Sequence, residues 1–395
     1  MLTPKKGFTG FRPTRVEVDL DNLSHNICEA KKRLKSGTLL MAVVKADAYG
    51  HGAVESSKLF LKNGVDWLGV AILSEAMELR NAGIKAPILV LGYTPEDQFT
   101  ELLDSDIRPT IYDVNQAKAL SKIAKQGSKR VRIHIKIDTG LSRLGFLPND
   151  ESIKSIVTIS QLEGLELEGM FTHFASSGDP DKSFTNKQFQ QFMWVVEKLE
   201  GEEINIPLKH VSNSSAIVEL PEYNLSMVRA GTILYGMDSY ENLGKEKIFL
   251  PALALKTRIS HVKTVKAGTG IGYGSTFTTA KRSKIGTLPI GYADGYRSAL
   301  SRKGYVVVGS HRAPIIGGIA MDQLMIDLTG VEGVKIGDEV TLIGYAKEGV
   351  PRINEVAEWA DTFSHELTCS LSRRVPRVYV SRGKVIKVVD YLLQG

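Results

Sequence analysis

Lysine 45 has the setting in this sequence that most directly indicates chemistry. It follows the apolar run LLMAVV (39–44), so its amine would be partly desolvated at the end of a strand. A lysine in that setting can form a Schiff base with a carbonyl cofactor. The simpler interpretation is a side chain that extends from the strand end into water. The next residues, DAYGHG (47–52), predict a glycine-punctuated polar loop that would frame a cofactor.

Other polar or charged residues also stand where apolar runs stop. They are Asp138 with Arg143 in the loop after it, His173, Asn213 with Ser214, and Arg229 with Gly231. If the runs are strands of a barrel, these side chains lie at its C-terminal face, where barrel enzymes keep their active sites. Phosphate groups often bind there beside the seventh and eighth strands. The pattern therefore predicts a single site on that face.

The elements that position these residues alternate between strands and helices. Eight strands are predicted: LLMAVVK (39–45), WLGVA (67–71), PILVLG (87–92), RPTIYD (108–113), VRIHIKID (131–138), LEGMFTHF (167–174), LKHVSN (208–213) and SMVRAG (226–231). Helical patterns such as AVESSKLFLKNG (53–64) follow, closed by glycine. This order predicts an α/β fold with a (β/α)8 TIM-like barrel. A doubly wound sheet is the alternative.

After about residue 245 the pattern changes to short alternating segments separated by Gly, Asp and Ser turns. These segments predict a mainly antiparallel β domain. We therefore expect a barrel domain over residues 1–244 and a β domain over residues 245–395. The boundary would fall in the polar stretch SYENLGKEKIF (239–249).

Composition and motifs exclude several classes of protein. The net charge of +6 comes from 50 basic and 44 acidic residues that are interspersed, which fits an ordinary surface or an anionic small ligand better than nucleic acid. Only two cysteines occur, Cys28 and Cys369, without CxxC spacing, so neither a disulfide framework nor a zinc site is predicted. There is no run of about 18 apolar residues and no signal peptide, so we expect a soluble cytoplasmic protein. GTGIGYGST (268–276) lacks GxGxxG, GLSRLG (140–145) is not GxSxG, and HELTC (365–369) lacks a second histidine.

Nine segments together resemble the alanine racemases. VVKADAYGHGA (43–53) resembles their pyridoxal phosphate attachment segment. The other segments follow in the family's order: KIDTGLSRLGF, THFASS, VSNSSA, VRAGTILYG, GIGYGSTF, LPIGYADG, IAMDQLMIDLT and RRVPR. The resemblance covers nearly the whole chain, and it implies the interconversion of L- and D-alanine for peptidoglycan by a homodimer with composite sites.

The resemblance also implies a role for each matching residue. Lys45 would be the Schiff-base lysine and the base for D-alanine, and Tyr273 the base for L-alanine, supplied by the partner subunit. The cofactor, pyridoxal 5'-phosphate, would be held by Lys45, Tyr49, His173, Ser214, Arg229, Gly231, Thr232 and Arg373. Arg143 and the main chain of Met321 would bind the substrate, with Met321 again from the partner. Lys136 matches a lysine often found carbamylated.

The chemistry of racemisation requires such a set. Removing a proton from one face of a carbanion and returning one to the other needs two bases. Arg229 would donate to the ring nitrogen without protonating it, because its own charge is retained. Tyr273 would have to ionise near neutral pH although free tyrosine has a pKa of about 10, so we expect His173 and Arg229 to supply a positive field.

Two positions depart from the common family pattern. Arg373 stands where many members have Tyr, and Ala320 where they have Cys. These changes predict a wider pocket that also turns over serine; the alternative is that Arg373 fills the entrance and sharpens specificity. Two further functions remain open: a barrel-type pyridoxal phosphate decarboxylase and a non-catalytic cofactor carrier. The decarboxylases place Glu at the ring nitrogen, and the carriers lack the β domain.

Overall fold

A computed structural model describes residues 11–237, 248–345 and 349–393. The chain divides into two compact units. The barrel unit consists of Asn26–Ala48 and Ala53–Leu234. The β unit consists of the described residues up to His25, the short segment Tyr49–Gly52, and the described residues from Tyr235 onwards. The expected boundary near residue 244 lies outside the described residues.

The first strand, β1 (Arg15–Asp19), belongs to the β unit. Its sequence RVEVD alternates, with Val16 and Val18 fully buried, and it lies between two strands of the large sheet described below. The sequence prediction had placed this segment in the barrel domain. Instead, β1 pairs with strands of the β unit. The partners of a strand depend on its tertiary surroundings, which a local sequence pattern does not show.

The barrel unit is built on eight parallel strands. They are β2 (Leu39–Val43), β3 (Trp67–Val70), β4 (Ile88–Val90), β5 (Arg108–Ile111), β6 (Val131–Lys136), β7 (Leu165–Phe171), β8 (Leu208–His210) and β9 (Met227–Ala230). Neighbours in space follow chain order from β2 to β8, and β9 pairs with β2. The amide of Arg229 donates to the carbonyl of Ser212 at 3.0 Å, which joins β9 to the chain after β8. The eight predicted strands and the barrel fold are confirmed.

Helices precede, separate and follow the barrel strands. They are α1 (Leu20–Lys31), α2 (Lys45–Tyr49), α3 (Ala53–Lys62), α4 (Leu73–Asn81), α5 (Phe99–Asp104), α6 (Val114–Gln126), α7 (Asp150–Ser160), α8 (Ser183–Gly201), α9 (Ser214–Glu219) and α10 (Thr232–Tyr235). In α6, Ala117, Leu120 and Ala124 recur at helical spacing and are fully buried. The side chain of Asp113 accepts from two amides in the first turn and fixes where α6 begins.

The β unit contains one large sheet and a small hairpin. Its further strands are β10 (Leu253–Arg258), β11 (His261–Val265), β12 (Gly270–Ile271), β13 (Phe277–Thr278), β14 (Ser283–Leu288), β15 (Tyr305–Val308), β16 (His311–Ile316), β17 (Leu324–Asp327), β18 (Glu339–Ile343), β19 (Arg377–Ser381) and β20 (Lys384–Val389). The large sheet has the order β11-β14-β17-β16-β15-β18-β10-β1-β19-β20. All its pairings are antiparallel except that of β1 with β19. The mainly antiparallel domain is therefore confirmed. Two helices, α11 (Ile353–Trp359) and α12 (Ser364–Cys369), precede β19.

Each unit has a cluster of buried apolar side chains in its interior. In the barrel unit, Met41, Trp67, Leu89, Phe171 and Met227 form one buried cluster. In the β unit, Ile271 of the hairpin β12–β13 forms a second cluster with Ile285 on β14 and Ile316 on β16. Among the described residues, no helix is both long and apolar enough to cross a membrane.

Candidate active site

Lys45 opens a turn with unusual backbone geometry. In α2 the residues Ala46, Asp47 and Ala48 have φ of 51°, 54° and 53°, and Tyr49 continues at 54°. Left-handed helical geometry costs about 1–2 kcal/mol for each residue with a side chain. Backbone strain of this kind persists where the surrounding structure imposes it, often at functional sites. None of the four residues is glycine, so the sequence predicted a loop here and gave no sign of the left-handed turn.

Side chains from neighbouring elements hold the turn that carries Lys45. Glu75 accepts from the amide of Ala46 at 2.7 Å through one oxygen and from the amide of Ala71 at 2.7 Å through the other. Asp47 accepts from the amide of Ala53 at 2.8 Å. Glu75 was not among the predicted site residues, because its signal in the sequence is only that of an acidic residue in the first turn of the helix after β3.

Arg229, on β9, is buried and held by several acceptors. Its guanidinium donates to the carbonyls of His210 at 2.8 Å, Thr172 at 2.7 Å and Val211 at 3.0 Å. It also contacts Nδ1 of His210 at 3.0 Å and Nδ1 of His173 at 3.4 Å. Burial and the charge of Arg143 lower the pKa of Arg229 to about 9, which leaves it protonated at neutral pH.

His173 follows β7 and lies among cations. Burial first, and then the charges of Arg229, Arg143, Lys136 and Lys45, hold its pKa well below the usual value for histidine. The ring is therefore neutral at pH 7 and adds no positive charge to the site. The expectation that His173 helps to supply a positive field does not agree with this shift, because burial first, and then the surrounding cations, disfavour the protonated ring. For Arg229 that role remains a prediction.

Lys136 ends β6 and points into a buried environment. Its Nζ donates to the carbonyl of Ile137 at 2.9 Å and lies 5.2 Å from the centre of the Phe171 ring. Burial, with a contribution from Arg229, lowers its pKa to about 7.

Asp138 is the next acidic residue along the chain and accepts from the amides of Gly140 and Ser142, both at 3.0 Å. These two bonds fix the start of the loop that carries Arg143.

The ends of β8 and β9 bring Ser214, Gly231 and Thr232 together. Ser214 is the first residue of α9, and Thr232 is the first residue of α10. The amide of Gly231 donates to Oγ of Ser214 at 2.9 Å, which links the two helix starts. Asn213 caps α9 by accepting from the amide of Ala216 at 3.1 Å. Helix N-termini with a hydroxyl group are suited to an anion.

The other predicted site residues belong to the β unit. Tyr49 packs against Tyr235 with ring centres 5.0 Å apart. Tyr273 begins a tight turn between β12 and β13, and 82% of its surface is exposed. Gly272 has a φ of 74°, and an added Cβ would stand 3.2 Å from the amide nitrogen of Gly318, so the turn requires glycine there. The turn thus presents the tyrosine to the outside of its own chain.

Met321 and Arg373 also lie on the β unit. Met321 is 52% exposed, and its carbonyl accepts from the amide of Ala293 at 3.0 Å. Its own amide donates no hydrogen bond within the described part of the chain, so an external acceptor can use it. The guanidinium of Arg373 stacks over the Tyr391 ring at 4.9 Å.

The structure therefore gathers the predicted residues into two sets. Lys45, Lys136, Arg143, His173, Ser214, Arg229, Gly231 and Thr232 lie at the C-terminal ends of barrel strands. Tyr49, Tyr273, Met321 and Arg373 lie on the β unit. A cationic face with helix starts beside the last two strands is an arrangement with which barrel enzymes bind anionic groups.

Comparisons with known proteins agree on one family. Residues 18–239 match the model of the alanine racemase N-terminal domain, and residues 252–379 match that of the C-terminal domain. A relative named alanine racemase 2, from Caldanaerobacter subterraneus subsp. tengcongensis, is 46% identical over 385 residues, which cover 98% of this chain and 99% of the relative. An alanine racemase from Methanococcus maripaludis is 47% identical over 93% of this chain and 99% of its own.

Solved structures give the same result. The alanine racemase of Clostridium difficile 630 has a TM-score of 0.93 and 41% identity, and the match covers 97% of this chain and 100% of that one. The enzyme of Bacillus anthracis has a TM-score of 0.92 and 35% identity over 98% of this chain and 99% of that one. The chain belongs to the alanine racemase family, and it is an isomerase that racemises alanine.

Proposed function

We propose that this alanine racemase uses pyridoxal 5'-phosphate, held at Lys45, with Lys45 and Tyr273 as the two bases. The proposal includes a homodimer whose sites combine residues of both subunits, and a cytoplasmic role in supplying D-alanine for peptidoglycan. The substrate is a small amino acid, as it is for the relatives named above.

The observation that carries the cofactor assignment is the cluster of cations around His173. Arg229, Arg143, Lys136 and Lys45 all act on that ring, while Arg229 itself bonds only to neutral acceptors among the described residues. Of these four cations, Arg229 and Lys136 are buried, Lys45 is half-buried and Arg143 is exposed. Buried like charges such as Arg229 and Lys136 are unfavourable until an anion joins them. A cofactor with a phosphate and a substrate with a carboxylate meet that need.

The residues present fit the parts of this cofactor. Lys45 supplies the amine for its aldehyde, and Arg229 a guanidinium for its ring nitrogen. Ser214, Gly231 and Thr232 offer a hydroxyl and the starts of two helices to its phosphate. Tyr49 and Arg373 are the proposed further phosphate contacts, and His173 would lie behind the ring.

The mechanism requires two bases on opposite faces of the α-carbon. Lys45 takes the proton of D-alanine and Tyr273 that of L-alanine, and each returns a proton in the reverse direction. The cofactor, when bound, supplies an electron sink for the carbanion. Arg229 remains protonated at neutral pH and would donate to the ring nitrogen without protonating it, which would limit the electron sink and disfavour side reactions. Arg143 and the amide of Met321 orient the substrate carboxylate.

The proposed dimer rests on the exposure of the residues that must complete the site. Tyr273 and Met321 are 82% and 52% exposed in the single chain. A tyrosine that abstracts a proton needs a site that excludes water and holds its substrate, and an exposed turn provides neither. A second copy of the chain would bring the barrel face of one subunit to the Tyr273 turn of the other.

Lys136 adds an expected covalent modification to the proposal. At a pKa of about 7, a large fraction of its amine is uncharged at neutral pH. An uncharged amine can react with carbon dioxide to give a carbamate, releasing one proton. The resulting anion would compensate the charges of Arg143 and Arg229, which already act on the lysine.

The solved relatives support an alanine-like ligand at this site. The structure from Bacillus anthracis is described with bound L-Ala-P, and one from Clostridium difficile 630, 39% identical with a TM-score of 0.91, is described in complex with cycloserine. Racemisation of serine as well as alanine is the proposed breadth of substrate. The decarboxylase alternative is disfavoured, because Arg229 and not a carboxylate occupies the position proposed for the ring nitrogen.

Borohydride reduction tests the proposal. The purified protein should absorb near the visible edge, and reduction should attach the cofactor to the peptide containing Lys45. Lys45→Ala should lose both this label and racemase activity. The activity is measured as the change in circular dichroism while L-alanine is converted. Lys58→Ala, at an exposed lysine of α3, is the control and should behave as wild type. Full activity of Lys45→Ala without added amine would contradict the proposal.

A further inference from the structure

The interior of the barrel contains a polar row that a packed barrel core does not need. Barrel interiors are mostly filled by branched apolar side chains. Here His210 on β8, His134 on β6, Glu168 on β7 and Arg108 on β5 continue inward from Arg229. Buried polar groups cost free energy unless they are hydrogen-bonded, so such a row indicates a function.

The distances along this row describe two hydrogen bonds followed by a longer contact with a carboxylate. Arg229 lies 3.0 Å from Nδ1 of His210, and Nε2 of His210 lies 2.9 Å from Nδ1 of His134. Nε2 of His134 is 3.5 Å from Oε2 of Glu168. That nitrogen is buried and makes no hydrogen bond to any described residue at this distance, and the carboxylate of Glu168 is the charged group beside it. Both rings are fully buried.

The chemistry of the donors fixes the direction of both hydrogen bonds. A guanidinium has only donors, so Nδ1 of His210 must accept. In a neutral ring the proton is then on Nε2 of His210, which donates to Nδ1 of His134. His134 in turn has its proton on Nε2, directed at Glu168. Burial lowers the pKa of both histidines, in agreement with neutral rings.

Glu168 is itself fixed at the end of the row. Nε of Arg108 donates to Oε2 of Glu168 at 3.1 Å, and Arg132 lies 3.7 Å from its other oxygen. The strand register also provides space for the histidine. A Cβ on Gly169 would come within 2.4 Å of the His134 ring, so only glycine leaves room for it. The row therefore depends on a local feature of the β6–β7 pair, whose register shifts between Ile133 and His134.

We propose that Glu168 and His134 are positioning residues for Arg229. They hold His210 in the tautomer whose Nδ1 accepts from the guanidinium, and they connect this cation through two imidazoles to a carboxylate. The inference rests on the proposed role of Arg229 at the cofactor ring. A carboxylate that fixes the tautomer of a histidine is an established way to orient a catalytic group. Here the carboxylate of Glu168 would act through two imidazole rings, those of His134 and His210.

The tautomers can be observed directly in the holoenzyme. Long-range ¹H–¹⁵N correlation spectra of histidine-labelled protein would contain only eight histidines. We expect neutral rings protonated at Nε2 for both His134 and His210, assigned by the loss of one signal in each His134 variant and in a His210 variant. A ring of either residue protonated at Nδ1, or a charged ring, would overturn the inference.

Substitutions at Glu168 test the same point kinetically. Glu168→Gln keeps the size of the side chain but removes its charge. The new amide group can donate to Nε2 of His134, which would favour the other tautomer of that ring. We expect His134 to lose its single tautomer and kcat for alanine to fall about 10- to 100-fold, with little change in KM. Glu166→Gln, on the same strand and paired with Arg130 at the surface, is the matched control and should stay within about twofold of wild type. Equal kcat in the two variants would contradict the inference.

Two substitutions of His134 separate positioning from packing. His134→Asn can place an oxygen where Nδ1 accepts from His210, whereas His134→Phe keeps the ring volume but offers no acceptor. We expect the Asn variant to retain more of kcat than the Phe variant, although it fills the core less well. Arg132→Gln removes an ion pair of Glu168 without touching His134 and should leave the tautomers unchanged. The reverse order of the Asn and Phe variants would indicate packing alone.

These outcomes are separate from those that test the cofactor. If Lys45 takes the borohydride label but His210 is protonated at Nδ1, the positioning role fails and the proposed function stands. If Lys45 takes no label, the proposed function fails, while the tautomers of the two rings still report on the row.

Discussion

The two proposed bases stand in opposite surroundings. Lys45 lies at the end of a buried strand, on a left-handed turn fixed by Glu75 and Asp47. Tyr273 stands on a short glycine-containing turn and is 82% exposed. Lys45 is therefore positioned by its own chain, whereas Tyr273 is exposed on the surface of its chain. The difference teaches that burial and charge are built into the barrel face, while the exposed tyrosine would, in the proposed dimer, depend on the barrel face of the partner subunit.

The cations of the barrel face extend this contrast. Arg229 and Arg143 raise the positive potential where a cofactor and a substrate carboxylate would bind, and Lys136 adds to it only while its amine is protonated. A tyrosine brought into that field would ionise more easily than in water, because nearby cations favour the phenolate. The same cations, together with burial, lower the pKa of His173 and keep its ring neutral.

The largest effect is expected from removing the hydroxyl of Tyr273. Tyr273→Phe should lower turnover about 10²–10⁴-fold, the usual contribution of a general acid–base group. The midpoint of thermal unfolding should not change, because the side chain is exposed and packs against little. Tyr292→Phe, at another exposed tyrosine of the β unit, is the control. A Tyr273→Phe protein with turnover within about threefold of wild type in both directions would show that Tyr273 is not a base.

A smaller effect is expected from Lys136, within the barrel half. Labelled bicarbonate should give a carbamate signal in the carbon spectrum that is absent from Lys136→Arg. Since the pKa of Lys136 is about 7, its amine becomes protonated as the pH falls below that value, so the signal should form more slowly at about pH 6 than at about pH 8. Lys136→Arg should raise KM for alanine about tenfold, because a hydrogen bond to a charged group contributes about 1.5–3 kcal/mol.

The absence of a carbamate signal in active wild-type protein would contradict the modification. The two-base assignment would be unaffected, since Lys45 and Tyr273 do not require it.

The smallest effect is expected at Arg373, on the β unit. Its guanidinium stacks on Tyr391, which draws the side chain towards that ring. We expect alanine to remain the preferred substrate, with measurable turnover of serine. Arg373→Tyr should lower the serine-to-alanine ratio of kcat/KM by about tenfold or less, since pockets discriminate weakly against one added group. Arg373→Lys keeps the charge and is the control; an unchanged or higher ratio in the Tyr variant would reject the wider pocket.

Much of this architecture was predictable because its signals are local. Each of the eight barrel strands is a short apolar run followed by a helical pattern, and all eight were recognised. The strand β1 was missed, although RVEVD alternates, because its partners are distant in sequence. The left-handed turn after Lys45 was not predictable, since four consecutive residues with side chains rarely adopt it.

The electrostatics of the site were predictable only in part. The sequence identified Arg229 and His173 through the family's motifs, but the charge of His173 depends on burial and on four cations from separate segments. The row of His210, His134 and Glu168 follows from strand register and from the room left by Gly169. Such relations appear only when the strands are placed side by side.

Mixing two inactive proteins tests the central claim most directly, namely that one site uses Lys45 of one chain and Tyr273 of another. Lys45→Ala and Tyr273→Phe subunits would be exchanged, with each homodimer alone as control. A mixed dimer then contains one site with both bases, so random exchange should restore about a quarter of wild-type activity. No recovery after confirmed subunit exchange would show that both bases come from the same chain and would contradict the account.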